Sequence, residues 1–236
     1  MNAKRLKSPY ISVSGKSPKK SFGGSQEWYN GNIRGWGCGL VAATDILLYI
    51  KGENEKDFDA YTKILMENEK KYFRVFRKMG VSGIRLAIHM NRAFKAGHMP
   101  YKARWTVRKA KLLSSIEEMI DNDIPVLFSI GPGFFKKADI NFFVFNAGSV
   151  EKFEPRTRCR DHYVTITGIV EHNGRIFLEI SSWGSKYYVD YKEYREYVDK
   201  NDNYLFSNIL YIKHREDKNY DVQRISGKGK KGLSKG

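Results

Sequence analysis

The sequence contains one pair of side chains that could carry out nucleophilic chemistry, a cysteine and a histidine far apart in the chain. Cys38 lies in the stretch GWGCG, directly before the apolar run LVAATDILLYI, and His162 begins the β-type segment HYVTITGIV. Cysteine attacks as the thiolate, and its pKa falls at a helix N-terminus and beside an imidazole. A cysteine that opens a helix, facing a histidine at the rim of a sheet, is the pattern of a nucleophile and its general base.

Each of these residues also has a purely structural interpretation. Cys38 could be a small buried core residue, as most free cysteines are, and His162 alone is no more than a strand residue. Gly37 and Gly39 would leave room for a substrate carbonyl to approach the thiol, because glycine has no Cβ. The remaining histidines fall within a helix, after a helix, in a turn and at the basic tail: His89, His98, His172 and His214. His162 is therefore the best candidate for the base.

The chain of 236 residues is 41% hydrophobic and 14% aromatic, so it can bury a sizeable core. No apolar run approaches the roughly 18 residues of a membrane span, and the N-terminus has no apolar region typical of a secretory signal. Two cysteines at unrelated spacing form neither a disulfide framework nor a zinc site. We therefore expect a cytoplasmic protein without a metal or an organic cofactor, and the sequence does not predict its oligomeric state.

The net charge of +16 is concentrated at the two ends of the chain. Eleven of the sixteen charges lie within residues 1–20 and 213–236, and the stretch SGKGKKGLSKG has the composition of a disordered tail. The rest is only mildly basic, so nucleic-acid binding is a secondary hypothesis, limited to weak binding of polyanions through the tails. We divide the chain into a basic, partly disordered lead-in (1–27), a folded domain (28–212) and a basic tail (213–236).

Hydrophobic periodicity predicts helices in the first half of the folded domain and strands in the second. The predicted helices cover residues 39–50, 55–79, 83–96 (after Ser82 as N-cap) and the stretch KLLSSIEEMIDND. HMPYKARWTV is predicted to be a short strand. After Pro125, β-branched and aromatic residues predict an antiparallel sheet, with Asn173-Gly174 as a hairpin turn. This order is typical of an α+β fold, which could form two lobes with a cleft between them.

The motifs and their order resemble the papain-like cysteine peptidases. In that superfamily a cysteine opens a central helix, a histidine opens a strand, and the next strand ends in Asn-Ser-Trp-Gly. Here the cysteine helix is followed by DHYVTITGIV and GRIFLEISSWG. The stretches GIRLAIHMNRAFKAG and LSSIEEMIDNDIPVLFSIGPG are similar to those of the bacteriocin-leader (double-glycine) peptidases and their stand-alone relatives. The resemblance covers residues 28–212 and implies a papain-like α+β fold, with the cysteine helix packed against an antiparallel sheet.

The resemblance also implies roles for individual residues. Cys38 would be the nucleophile and His162 the general base and later the general acid. Asn32, six residues before Cys38, falls where the superfamily usually has a glutamine, so its amide would complete an oxyanion hole with the Cys38 backbone N–H; it could equally be a turn residue. The residues expected to contact the substrate are Trp36, Gly37, Gly39, Trp183 and Gly184.

The third catalytic position departs from the superfamily pattern. Ser181 occupies the place of the Asn or Asp that orients the histidine, and Ser182 is the alternative if the register differs by one. A hydroxyl can accept from the imidazole N–H, but it has no charge and a shorter reach. Asp161 adjoins His162 and is expected to point away from its ring. An active triad variant, a Cys–His dyad enzyme and an inactive pseudopeptidase therefore remain open.

The predicted function is thiol-dependent hydrolysis of a peptide bond in a peptide or protein substrate. The alternatives are deamidation or transglutamination on the same scaffold, and a catalytically inactive, basic binding module. Cys159, within RTRCRD, could be a regulatory thiol or a bystander in a charged loop. The aromatic segment 133–148 could be a cleft wall or lid, or another strand.

Overall fold

The computed structural model describes residues 1–77, 80–148 and 152–215, which form an α+β architecture. The strands are β1 (Asn2–Arg5), β2 (Ser12–Ser14), β3 (Glu55–Asp57), β4 (Tyr101–Trp105), β5 (Val126–Ile130), β6 (Ile140–Asn146), β7 (Lys152–Cys159), β8 (His162–His172), β9 (Arg175–Ser182), β10 (Ser185–Asp190) and β11 (Ile209–His214). The α-helices are α1 (Gly31–Trp36), α2 (Cys38–Ile50), α3 (Phe58–Lys71), α4 (Gly83–Ala96), α5 (Leu112–Asp121) and α6 (Tyr191–Asn201).

The main sheet is antiparallel and has β8 near its centre. Its strand order is β4-β11-β5-β8-β9-β10-β6-β7, while β1 pairs with β8 outside this path and β2 pairs in parallel with β3. One side of β8 pairs with β9, and its other side is shared by β5 near the start and β1 near the end. His162 therefore begins the central strand, opposite Ile130, where β5 ends.

Helix α2 is the buried helix around which the other elements pack. All residues from Gly39 to Tyr49 are buried, as expected of a helix that is apolar on every side. Gly37 is its N-cap, and a Cβ there would lie 2.4 Å from the Ile33 carbonyl oxygen. Only glycine allows α1 to end so close to the start of α2, and this tight junction fixes Cys38 as the first residue of α2.

Several sequence predictions are confirmed closely. Helix α4 covers 83–96 as predicted, and the Ser82 hydroxyl accepts from the Arg85 backbone N–H at 3.5 Å. Strand β4 lies within HMPYKARWTV. Asn173 and Gly174, with φ of 50° and 71°, form the two-residue turn between β8 and β9. These elements were predictable because local signals, a cap or a turn dipeptide, mark their ends.

Other predictions were wrong where tertiary pairing or a cap decided the structure. The helix expected over 55–79 is shorter at both ends: the Asp57 carboxylate accepts from the Ala60 N–H at 2.8 Å and starts α3 at Phe58, and α3 ends at Lys71, while residues 78 and 79 lie outside the described residues. The segment expected as the strand KYYVDYKEY becomes β10 and then α6, since Asp190 caps two backbone N–H groups at the start of that helix. The first six residues of the expected charged loop EPRTRCRD lie in β7, and its last two follow that strand.

Two further segments are more ordered than the sequence indicated. Residues 133–148, expected as a lid, wall or strand, contain β6, which pairs with β7 on one side and β10 on the other. The lead-in, expected to be partly disordered, contributes β1 and β2, and Arg5 of β1 pairs with the buried carboxylate of Glu179 at 2.9 Å. Most of the predicted basic tail, residues 216–236, lies outside the described residues. Among the helices of the described ranges, none is both long and apolar enough to cross a lipid bilayer.

Candidate active site

A cavity of about 370 Å³ opens at the N-terminus of α2, and both Cys38 and His162 line it. Its walls come from the end of α1, the segment leading into α4, the end of β4, and the turn after β5. A second, water-sized cavity of about 20 Å³ is also lined by Cys38 and His162, together with Ser182 and Trp183. The fold thus brings together the cysteine and the histidine, which are more than a hundred residues apart in the sequence.

The His162 ring is held by two neighbours on β9 and the turn after it. Its Nε2 atom lies 2.9 Å from the Ser182 hydroxyl, and the ring stacks on Trp183 with centroids 4.8 Å apart. Trp183 has a φ of 49° and Gly184 a φ of 71°, so the turn that follows β9 folds the indole over the imidazole. The other ring nitrogen, Nδ1, makes no hydrogen bond within the described residues, which leaves it open to receive a proton.

The residue that contacts the imidazole is Ser182, not Ser181. The Ser181 hydroxyl instead donates to the Phe22 carbonyl oxygen at 2.8 Å. Neighbouring residues on a strand point to opposite faces, so only one of the two serines can reach His162. The hydrogen bond to the imidazole that was expected of Ser181 is therefore made by Ser182, the alternative that the sequence offered. Ser181 contacts the lead-in segment so closely that a Cβ on Gly23 would lie 2.1 Å from the Ser181 hydroxyl oxygen.

The expected amide donor also changes identity. Asn32 is exposed on α1 and is not among the residues that line either cavity. Gln26, twelve residues before Cys38, lines both of them. Its Nε2 donates to the Arg34 carbonyl oxygen at 2.8 Å, while its buried Oε1 has no partner among the described residues. Helix α1, six residues long, separates Gln26 from Cys38, so the amide that lies at the cavities is twelve residues before the cysteine and not six.

The glycines next to Cys38 pack the fold and do not open the cavity. Neither Gly37 nor Gly39 lines either cavity. A Cβ on Gly39 would lie 3.3 Å from the Tyr163 ring, so this glycine lets α2 approach β8. Trp36 lines the larger cavity, as expected of a substrate contact, while Gly184 serves the turn after β9, where a Cβ would meet Trp28 at 3.0 Å. The glycines that line the larger cavity are Gly35, Gly80, Gly83 and Gly131.

Burial favours the neutral forms of both reactive groups. It raises the pKa of the Cys38 thiol to about 11, with a further contribution from Asp161, and lowers the pKa of His162 to about 4. Nearby backbone N–H groups, including that of Tyr163, lower the thiol pKa only in part. Burial therefore favours a thiol and a neutral imidazole over a thiolate and an imidazolium in the resting site.

The contact between the two reactive side chains is correspondingly loose. Within the described residues, no hydrogen bond joins Cys38 Sγ to His162, although both line the same two cavities. Such contacts commonly tighten only when a substrate is bound, so this geometry is compatible with a catalytic pair.

The second cysteine does not line either cavity. Cys159 is buried at the end of β7, with its Sγ 3.5 Å from the Arg160 carbonyl oxygen, and burial raises the pKa of its thiol to about 12. The neighbouring Arg160 pairs with Asp139 at 3.0 Å. A regulatory role for this thiol remains a prediction, and its burial predicts slower reaction with added reagents than that of the half-buried Cys38.

A buried carboxylate that the sequence analysis missed ties the Gln26 segment to the cysteine helix. Asp45 lies about two turns after Cys38 and accepts from the Tyr61 hydroxyl at 2.7 Å, the Gly24 N–H at 3.0 Å and the Tyr10 hydroxyl at 3.3 Å. Burial raises its pKa to about 6. The available sequence signal was an aspartate inside an otherwise apolar helix, because a buried carboxylate needs hydrogen-bond partners.

The sequence matches no protein-family model and none of the curated proteins.

Proposed function

We propose that the protein is a papain-like cysteine peptidase that cleaves a peptide bond through a covalent thioester. The observation that carries the proposal is the pairing of Cys38, the first residue of α2, with His162, the first residue of β8, on the wall of one cavity. The contacts of His162 with Ser182 and Trp183 support it, because a general base must be held in one orientation. The packing of α2 against β8 is the arrangement that the sequence resemblance implies.

In the proposed first half-reaction, Cys38 Sγ attacks the substrate carbonyl carbon while its proton moves to Nδ1 of His162. Because the resting pair is neutral, this proton transfer accompanies the attack and does not precede it. The oxyanion accepts hydrogen bonds from the Cys38 backbone N–H and from the Gln26 amide, one N–H of which is not used by Arg34. His162 then protonates the leaving amine as the carbon–nitrogen bond breaks.

The second half-reaction reverses the roles of the same groups. His162 takes a proton from water, and the resulting hydroxide equivalent attacks the thioester carbon. The carbon–sulfur bond breaks, the proton returns to Cys38, and a carboxylic acid leaves. Ser182 keeps Nε2 engaged throughout, so Nδ1 remains the nitrogen that exchanges the proton.

The test uses p-nitrophenyl acetate, an acyl donor that needs no knowledge of the natural substrate. We expect the wild-type protein to release p-nitrophenolate over many turnovers and to carry an acetyl group on Cys38, detected by peptide mapping. His162→Ala should slow turnover by about 10²- to 10⁴-fold, the range for loss of a general base. Cys159→Ala, the matched thiol control, should turn over like wild type once thermal unfolding confirms that it folds.

The proposal fails if Cys38→Ala keeps the wild-type rate, or if acetyl groups accumulate equally on both cysteines. A folded wild-type protein with no acylation at Cys38 would favour the inactive binding module. A synthetic peptide mixture analysed by mass spectrometry then separates peptide hydrolysis from deamidation, because deamidation changes the mass of a glutamine by about one unit without shortening the peptide.

A further inference from the structure

The larger cavity contains one acidic side chain among its described lining residues. Asp161 lies directly before His162 and lines this cavity, whose other walls include Trp36, Trp105 and Phe206. No Lys, Arg or His side chain within the described residues forms an ion pair with its carboxylate, and the adjacent Arg160 pairs instead with Asp139. Although the sequence has 42 Lys and Arg residues against 26 Asp and Glu residues, the described part of the chain places no cation against this carboxylate beside the reactive pair.

We propose, on the basis of the proposed function, that Asp161 binds a cationic group of the substrate and makes the site selective for acyl donors with an ammonium or guanidinium group near the scissile bond. An unpaired carboxylate in a partly desolvated cavity attracts a cation strongly and repels an anion. Burial raises the pKa of Asp161, which indicates that water alone solvates this carboxylate incompletely.

The backbone holds Asp161 in a defined and uncommon conformation. Its φ of 50° lies in the left-handed region, which few residues other than glycine adopt. Residues held in such conformations cluster at functional sites. Its N–H donates to the Gly131 carbonyl oxygen at 3.0 Å. That same carbonyl accepts from the Tyr197 hydroxyl at 2.6 Å, and the Gly131 N–H donates to the Ser207 hydroxyl at 2.9 Å. The carboxylate therefore stands on a braced turn and not on a loose loop.

The aromatic walls fit the same kind of ligand. Trp36 and Trp105 line the cavity with Asp161, and indole faces attract cations. Trp105 is fixed in place, since its Nε1 donates to the Leu205 carbonyl oxygen at 2.7 Å and its ring lies against Gly83. A Lys or Arg side chain could thus place its apolar stem along these walls and its charge at Asp161.

A cation at Asp161 would also favour the reactive form of the thiol. The Asp161 charge contributes to the raised pKa of Cys38. A bound ammonium or guanidinium group would offset this contribution and favour the thiolate. A cationic substrate would therefore assist its own acylation, although burial remains the largest cause of the raised pKa of Cys38.

Two thiol reagents that differ in charge test this inference without any peptide substrate. The reagents are 2-aminoethyl methanethiosulfonate, a cation, and 2-sulfonatoethyl methanethiosulfonate, an anion. In either reaction the Cys38 thiolate attacks the sulfenyl sulfur, a disulfide bond forms, and methanesulfinate leaves with the electron pair of the broken sulfur–sulfur bond; solvent takes the thiol proton. Mass spectrometry of the full chain gives the rate at Cys38, and 2-mercaptoethanol gives the reference ratio of the two reagents.

We expect Cys38 to prefer the cationic reagent by at least about tenfold over the reference ratio, an opposite-charge effect of about 1.4 kcal/mol. Asp161→Asn should remove most of this preference, and Asp161→Gly, which suits the left-handed backbone, should do the same if the asparagine variant is unstable. Asp121→Asn removes the same charge from an exposed ion pair with Lys4 that does not line the cavity, so it should keep the preference.

Each outcome decides between the two proposals. A Cys38 that reacts without charge preference, or an equal effect of Asp121→Asn, overturns the inference, and the ester assay then remains the test of the peptidase. A clear preference that depends on Asp161, in a protein that cleaves neither p-nitrophenyl acetate nor any peptide of the synthetic mixture, supports the cation site and overturns the proposed hydrolysis. A folded protein whose Cys38 reacts with neither reagent overturns both.

Discussion

Replacing Ser182 with alanine removes the only hydrogen bond that the described residues make to the His162 ring. The bond is 2.9 Å long, and both residues are buried, with exposed fractions of 5% and 8%. A hydrogen bond between neutral groups makes a net contribution of about 0.5 to 1.5 kcal/mol to the free energy of unfolding. The stacked Trp183 still supports the ring, so we expect turnover of p-nitrophenyl acetate to fall by only about two- to tenfold, through less frequent correct orientation of the imidazole.

Ser181→Ala is the matched control for this prediction. It removes a buried hydroxyl from the adjacent position of the same strand and leaves the Phe22 carbonyl without its partner. We expect a comparable loss of unfolding free energy, about 1 kcal/mol, and unchanged turnover. Both variants are compared by thermal unfolding and by the ester assay at a temperature where each is folded. Equal slowing by the two substitutions, or slowing by Ser181→Ala alone, would refute the assignment of Ser182 as the orienting residue.

Three further predictions concern the surroundings of the reactive pair. Gln26→Ala should slow acylation in the ester assay by about 10²- to 10³-fold, as loss of an oxyanion donor does, whereas Asn32→Ala should have no effect. Slow acylation in Asn32→Ala and a normal rate in Gln26→Ala would instead favour Asn32, the donor that the sequence predicted. Folding raises the pKa of Asp45 from 3.8 to about 6, so ionisation of this carboxyl opposes folding. The unfolding free energy of wild type, measured relative to that of Asp45→Asn by urea titration, should therefore fall by about 3 kcal/mol between pH 4 and 6 and stay level above pH 6. Parallel pH profiles of the two proteins would contradict this prediction. Gly83→Ala places a Cβ 2.3 Å from the Trp105 ring, so it should cost about 1 to 3 kcal/mol of stability and change the tryptophan fluorescence, and an unchanged unfolding midpoint would disprove that contact.

The elements that could be predicted are those whose ends carry local chemical signals. Helix α4 follows Ser82 as its cap, and the β8–β9 turn follows Asn173-Gly174, since both depend on the conformational preferences of residues adjacent in sequence. The buried helix α2 was predictable from its continuous apolar composition, although its first residue, Cys38, was placed just outside it.

The elements that were missed depend on partners distant in the chain. Strand β7 has the charged composition of a loop and exists as a strand because β6 pairs with it. Strand β1 belongs to the basic lead-in, and it is ordered by β8 and by the ion pair of Arg5 with Glu179. Local composition contains no information on such pairing, because the partner lies more than a hundred residues away for β1.

For the candidate site, the sequence by itself determined the types of the reactive groups, Cys38 and His162, and the apolar helix that buries the first of them. Only the tertiary structure decided which neighbours serve them. Strand alternation directs Ser182 and not Ser181 to the imidazole, and the insertion of α1 brings Gln26 instead of Asn32 to the cavity. The physical reason is that a one-residue change in register reverses the face of a strand, whereas motif spacing counts residues and not directions in space.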